Sequence, residues 1–102
     1  MVADGGLVWV VANSRRPSTE NFEQQAASTL ARLEQALVEA GTSKTRLLSV
    51  QIFLSDINQK NVFDGLWNEW IGNDADNWPQ RICIQAGLSG GLLIEIQAVA
   101  LR

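Results

Sequence analysis

Between Phe22 and Ala40 the apolar residues Phe22, Ala26, Leu30, Leu33, Leu37 and Ala40 fall at steps of four, four, three, four and three. That spacing keeps all six side chains on one face of an α-helix and predicts a helix over about Thr19 to Ala40. A helix this amphipathic has to lay its apolar stripe on a partner layer. Glu23, Glu34 and Glu39 fall largely on the other side. Ser18 or Thr19 is placed to cap the start, Glu20 and Glu23 suit the positive end of the helix dipole, and Gly41 supplies the stop.

The partner layer is a sheet. Leu7 to Ala12 is apolar and rich in β-branched residues, and Asp4-Gly5-Gly6 before it is a turn signal, so a strand is expected, with a stub strand at Val2-Ala3. Asn13 to Ser18, polar and containing Pro17, reads as a loop. Arg46 to Ser55 reads as a strand with Leu48, Val50, Ile52 and Leu54 on one face and Ser49, Gln51, Phe53 and Ser55 on the other. A second helix is expected over about Asn58 to Ile71, with Val62, Phe63, Leu66, Trp67, Trp70 and Ile71 as its apolar stripe and Gly72 as its end. A polar loop from Asn73 to Trp78 closes at Pro79, and two strands follow, Arg81 to Leu88 and Leu92 to Leu101. Ser89-Gly90-Gly91 between them predicts a tight hairpin.

The expected order is strand, helix, strand, helix, strand, strand: an α+β chain in which two helices cover one face of a four- or five-stranded sheet. Ile82 and Ile84, with Ile94 and Ile96, are expected beneath the helices. The opposite face then holds Ser49, Gln51, Phe53, the row Arg81, Cys83 and Gln85, and Leu93, Glu95, Gln97, Val99 and Leu101. That mixture is too apolar for free solvent and too polar for a monomer core, so copies are expected to pack sheet on sheet.

Composition removes several functions. A chain of 102 residues fits one domain over 1–102. It has no histidine and one cysteine, which excludes His-based triads, His metal sites, an intrachain disulfide and a Cys-rich zinc site. The formal charge is −3, and Arg15-Arg16 is the only adjacent basic pair, so no nucleic-acid partner is expected. No apolar run approaches the ~20 residues that span a bilayer, so no membrane partner is expected either. Met1-Val2-Ala3-Asp4 lacks the basic and apolar regions of a secretory signal, and a cytoplasmic protein is the expectation.

The last quarter of the chain carries a resemblance. Trp78-Pro79-Gln80-Arg81-Ile82-Cys83-Ile84-Gln85, followed by Leu93-Ile94-Glu95-Ile96-Gln97-Ala98-Val99-Ala100, resembles the signature of the RidA (YjgF) family. That signature reads Pro-Ala-Arg-x-Cys-Val and then Val/Ile-Glu-Ile-Glu-Ala-Ile/Val-Ala. Phe22-Glu23-Gln24-Gln25, Leu37 to Gly41, Val50 to Asp56 and Trp67 to Trp70 also match its pattern. The resemblance implies a chorismate-mutase-like fold and a homotrimer with ligand clefts between subunits. It implies hydrolysis of reactive enamines and imines of 2-oxo acids, with no metal or organic cofactor, the partner being a small imino or 2-oxo acid.

It also implies residue roles. Arg81 would grip the substrate carboxylate, which its planar guanidinium can do through two parallel charge-assisted bonds; the alternative is a salt bridge, for example to Glu95. Glu95 would hold the attacking water; the alternative is a structural partner for Arg81 or for a backbone group. Cys83 would shape the pocket as a small thiol, since no histidine is present to activate it. Trp9 reads as core, whereas Trp78 fits either core or the wall of a cleft.

Three departures bear on activity. The family's Ser-Gly after the first main strand aligns with Val11-Ala12, which removes a hydroxyl and leaves Ala12 a backbone N–H to offer. The family's Asn on the second helix aligns with Asp64, placing a negative charge near an anionic ligand. Many active members carry a Tyr, and this chain has none. An imine deaminase and a non-catalytic small-molecule binder are therefore both open. A ribonuclease activity, sometimes attributed to the family, is disfavoured by the absence of histidine and of a basic stripe.

Overall fold

The computed structural model describes residues 2–3 and 6–102. Strand β1 (Val2–Ala3) pairs antiparallel with β2 (Leu7–Asn13). Of the turn expected between them, Gly6 has φ +85°, while Asp4 and Gly5 lie outside the described residues.

Helix α1 (Phe22–Glu39) begins three residues later than the spacing predicts. The cap is Asn21 rather than Ser18 or Thr19. Its Oδ1 accepts from the Gln24 N–H at 2.9 Å while Gln24 Oε1 accepts from the Asn21 N–H at 3.0 Å, a reciprocal capping box. Thr19 is drawn into the preceding turn instead, its N–H donating to the Arg16 carbonyl at 3.1 Å. The C-terminal stop is as expected. Gly41 sits at φ +84°, its N–H donates to Val38, and the Thr42 N–H donates to Leu37, which satisfies carbonyls the helix leaves open.

Strand β3 (Leu47–Leu54), helix α2 (Lys60–Ile71), strand β4 (Gln80–Gln85) and strand β5 (Ile94–Leu101) complete the chain. The sheet order is β1-β2-β5-β3-β4, with β4 parallel to β3 and every other pair antiparallel. Both helices share one core with the sheet: Leu30, Leu33 and Leu37 from α1, Phe63, Trp67 and Ile71 from α2, and Val50, Ile52, Ile94 and Ile96 from the sheet are all buried. The α+β architecture with a mixed sheet and two helices is thus as the sequence predicts.

Four further expectations are overturned. β4 and β5 form no hairpin: β4 lies at the sheet edge beside β3, and β5 enters on the other side of β3. A parallel pair needs a crossover, and α2 provides it. Gly90 and Gly91 do turn, at φ +66° and +77°, but the segment they bend passes around the end of β3. There the Ala86 N–H donates to the Leu54 carbonyl and the Ser55 N–H to the Leu93 carbonyl, at 2.9 and 3.1 Å.

The faces of β4 are also reversed. Arg81 lies opposite Val50 and Cys83 opposite Ile52, both fully buried, so the row Arg81, Cys83 and Gln85 shares the helical face. Ile82 and Ile84 stand on the far face, 52% and 44% exposed. In β3 an irregularity between Leu47 and Ser49 turns Leu48 outward and gives its core place to Leu47. Val62, expected in the α2 stripe, is exposed as well.

Candidate functional site

The seam between α2 and β4 gathers charge over an aromatic floor. Lys60 and Asp64 are four residues apart on α2, so they meet on one side of the helix. Asp64 Oδ2 accepts from Lys60 Nζ at 2.7 Å, and Asp64 Oδ1 accepts from Arg81 Nη2 at 2.7 Å. The Arg81 guanidinium carbon lies 5.8 Å from the Phe63 ring centre and 5.6 Å from that of Trp67, within cation–π range of both. Its Nη1 is shielded from solvent and has no hydrogen-bond partner among the described residues. Arg81 is therefore fixed on one prong, while the other is unpaired but covered.

Two open hollows flank Arg81. One, of about 220 Å³, is walled by Trp67, Ile71, Trp78 and Pro79; the other, of about 270 Å³, by Ser49, Gln51, Gln80 and Ile82. Trp78 is mostly exposed, and its indole Nε1 donates to the Gly72 carbonyl at 2.9 Å, which fixes the ring beside Pro79. Of the two readings open for Trp78, the wall of a hollow is the one observed.

Burial raises the Asp64 carboxyl pKa, but hydrogen bonds and charge from Lys60 and Arg81 outweigh it and hold the group below the usual carboxylate value. Burial pushes the Cys83 thiol up, and the nearby Arg81 and Lys60 charges only partly oppose that. Cys83 packs against the core, as a small apolar group would.

The other expected site residues lie elsewhere. Glu95 is on the far face of the sheet, paired in register with Phe53 and Asn13, and its Oε1 accepts from Asn13 Nδ2 at 3.1 Å. Val11 is on that face too and largely exposed. Ala12 turns its methyl into the core at 2% exposure, so anything it offers a ligand is backbone. A single chain thus brings together Arg81, Asp64 and Trp78, with Cys83 close by, and keeps Glu95 and Val11 across the sheet. The ion partner of Arg81 is Asp64, not Glu95.

Sequence reasoning passed over Lys60, although its four-residue spacing from Asp64 was visible. It also passed over Gln25, a fully buried side chain on α1. Gln25 Nε2 donates to the carbonyls of Pro17, Glu20 and Gly91 at 3.1, 3.3 and 3.2 Å, and its Oε1 accepts from the Leu93 N–H at 2.9 Å. It ties the loop before α1 to the loop that delivers β5.

Among the described residues no three of Cys, Asp and Glu converge as metal ligands, and no helix is long and apolar enough to cross a membrane.

A family model described as endoribonuclease L-PSP matches residues 7–102. The chain belongs to this family, the one its signature resembles under the names RidA and YjgF. Among relatives, it is 35% identical over 78 residues to the RutC family protein YoaB of Escherichia coli, covering 76% of this chain and 67% of YoaB. It is 26% identical over 83 residues to the Escherichia coli protein named "Putative reactive intermediate deaminase TdcF", covering 80% of this chain and 64% of that one. Its fold superposes on NMB1025, a YjgF family member from Neisseria meningitidis, with a TM-score of 0.85 at 27% identity, over 95% of this chain and 80% of that one.

Proposed function

We propose that the chain hydrolyses 2-imino acids and their enamine tautomers to 2-oxo acids and ammonia, in clefts between the subunits of a homotrimer. The observation that carries this reading is Arg81: a guanidinium set on two aromatic rings, anchored by Asp64, on a residue that lines two hollows and whose Nη1 is covered but still unpaired among the described residues. The substrate carboxylate docks on the exposed edge of the guanidinium, and a small shift of the side chain on binding brings the unpaired Nη1 to it. Water adds across the C=N bond to give a carbinolamine, whose C–N bond then breaks to release ammonia and leave the C=O. The imine is intrinsically reactive, so orientation and charge stabilisation suffice without a strong base. Glu95 positions the water. Because Glu95 and Arg81 face opposite sides of one sheet, a site using both draws them from neighbouring copies, and Arg81 sits on the edge strand where a second copy can approach.

A second reading is a non-catalytic binder of small 2-oxo acids. It is favoured by Asp64, which already occupies one prong of Arg81. A coupled assay with a dehydratase that releases 2-iminobutanoate decides between them: faster imine clearance marks the deaminase, whereas binding without clearance marks the binder. Losing one partner of a desolvated charge pair costs about 2–5 kcal/mol, so Arg81→Ala is expected to weaken 2-oxo acid binding more than tenfold and to abolish clearance. Arg81→Lys is expected to recover little, because a point charge does not reproduce the fork. Parent-like behaviour of Arg81→Ala refutes the site.

A further inference from the structure

We infer that Lys60 is a positioning residue that sets the ligand class of the Arg81 site by cancelling the charge of Asp64, so that the site accepts a monoanion. This rests on the reading of Arg81 as the carboxylate anchor. The geometry is a chain of alternating charge: Lys60 Nζ on Asp64 Oδ2 at 2.7 Å, and Asp64 Oδ1 on Arg81 Nη2 at 2.7 Å. The unpaired Nη1 of Arg81, covered in the single chain, is its free end. Without Lys60, Asp64 and Arg81 would sum to zero, and a carboxylate arriving at the guanidinium would be drawn by the local bond alone, with no net charge to add to it. With Lys60 the three groups sum to one positive charge. One ligand carboxylate brings that sum to zero; a second overshoots it. Asp64 therefore orients the guanidinium without repelling the substrate, and Lys60 makes that arrangement compatible with an anion. The side chains of Asp64 and Arg81 are 27% and 23% exposed, so their interaction is only partly screened, while Lys60 at 42% stands at the solvent side where no ligand needs to touch it.

The test is a charge-reversion cycle on the full-length protein. The probes are a 2-oxo monocarboxylate and a 2-oxo dicarboxylate, titrated by calorimetry at two salt concentrations. Lys60→Met is expected to weaken monocarboxylate binding about threefold at moderate salt and more at low salt, as loss of a charge at the edge of a site should. Adding Asp64→Asn to Lys60→Met restores the sum of one positive charge and keeps an oxygen for Arg81 Nη2. The double variant is expected to recover parent affinity, whereas a merely structural loss would worsen. Asp64→Asn alone, with two positive charges, is expected to narrow the preference for monocarboxylate over dicarboxylate. Parent-like binding by Lys60→Met, or no recovery in the double variant, overturns the inference. A ligand-free measurement separates it from the functional reading: the Asp64 carboxyl, followed by carbon NMR, is expected to titrate below the usual aspartate value in the parent and to move up in Lys60→Met. If the carboxyl moves as expected but the parent binds neither acid, the charge chain stands, and both the Arg81 reading and the ligand class drawn from it fall. If the carboxyl does not move, the inference falls whatever the ligand does.

Discussion

Gln25→Leu is expected to be among the most destabilising substitutions available in this chain, although Leu is apolar and close in size. Gln25 is fully buried, and its carboxamide is spent on four main-chain groups from two separate loops. Replacing it orphans the Leu93 N–H, at about 1–3 kcal/mol, and removes bonds to carbonyls worth about 0.5–1.5 kcal/mol each. An amide nitrogen has two protons for its three carbonyls, so two full bonds are counted, and the total comes to about 4 kcal/mol. A domain of this size holds only about 5–15 kcal/mol. Thermal unfolding is therefore expected at least about 10 °C below the parent. Gln25→Glu probes the same site with charge. It keeps the acceptor for Leu93 but turns an oxygen toward three carbonyls, so the carboxyl is forced to stay protonated and its folded pKa rises above the unfolded value of about 4.3. A raised folded pKa means that this group's stability contribution is present below about pH 4 and is lost as the pH rises through the folded value. Gln25→Glu should thus come closest to the parent in acid and fall away toward neutral pH. Denaturant melts across that range measure both variants. A loss under about 1 kcal/mol for Gln25→Leu, or a pH-independent gap for Gln25→Glu, refutes the reasoning.

Other expectations are simpler. Asn21→Ala removes the capping box of α1 and should cost about 1 kcal/mol, read as a lower denaturation midpoint at unchanged slope. The burial-raised Cys83 thiol should react with iodoacetamide only as the pH climbs past the ordinary cysteine value of about 8.5; a rate already at its plateau at neutral pH contradicts the inert reading. Light scattering should give about three times the 11.2 kDa chain mass, and a stable monomer at micromolar concentration removes the shared-cleft argument.

The parts of the fold that read well from sequence are those with one wet face. β5 alternates Ile94, Ile96, Ala98 and Ala100 inward against Glu95, Gln97, Val99 and Leu101, and the structure keeps that phase because only one assignment buries the apolar set. β4 offers no such contrast. In Gln80-Arg81-Ile82-Cys83-Ile84-Gln85 either phase puts polar groups somewhere awkward, and hydrophobicity favoured burying the isoleucines. The residues that decided the phase are distant in sequence: Asp64, Phe63 and Trp67 on α2 give Arg81 an anion and two ring faces under the helices. The hairpin failed for a related reason. Gly90 and Gly91 encode a local bend, but which strand lies beside β4 is settled by the α2 crossover. Arg81 and Asp64 were each legible as candidates; their bond, across 17 positions, was not.

The reversed phase of β4 sharpens the case for a shared site. With Ile82 and Ile84 turned outward, the far face carries four exposed apolar side chains, Val11, Ile82, Ile84 and Leu101, among Ser49, Gln51 and Gln97. Packing a second copy there removes apolar area at about 25 cal/mol per Å². It also takes Glu95 away from bulk solvent, and a carboxylate moved there is costly unless its oxygens are met. Asn13 meets one of them, at 3.1 Å. The other must be met by a donor on that face, where Gln51 and Gln97 lie nearby, by a group of the second copy, or by a held water. Covering this face and satisfying Glu95 are then one requirement, and under the proposed reading a water held there between copies would meet it.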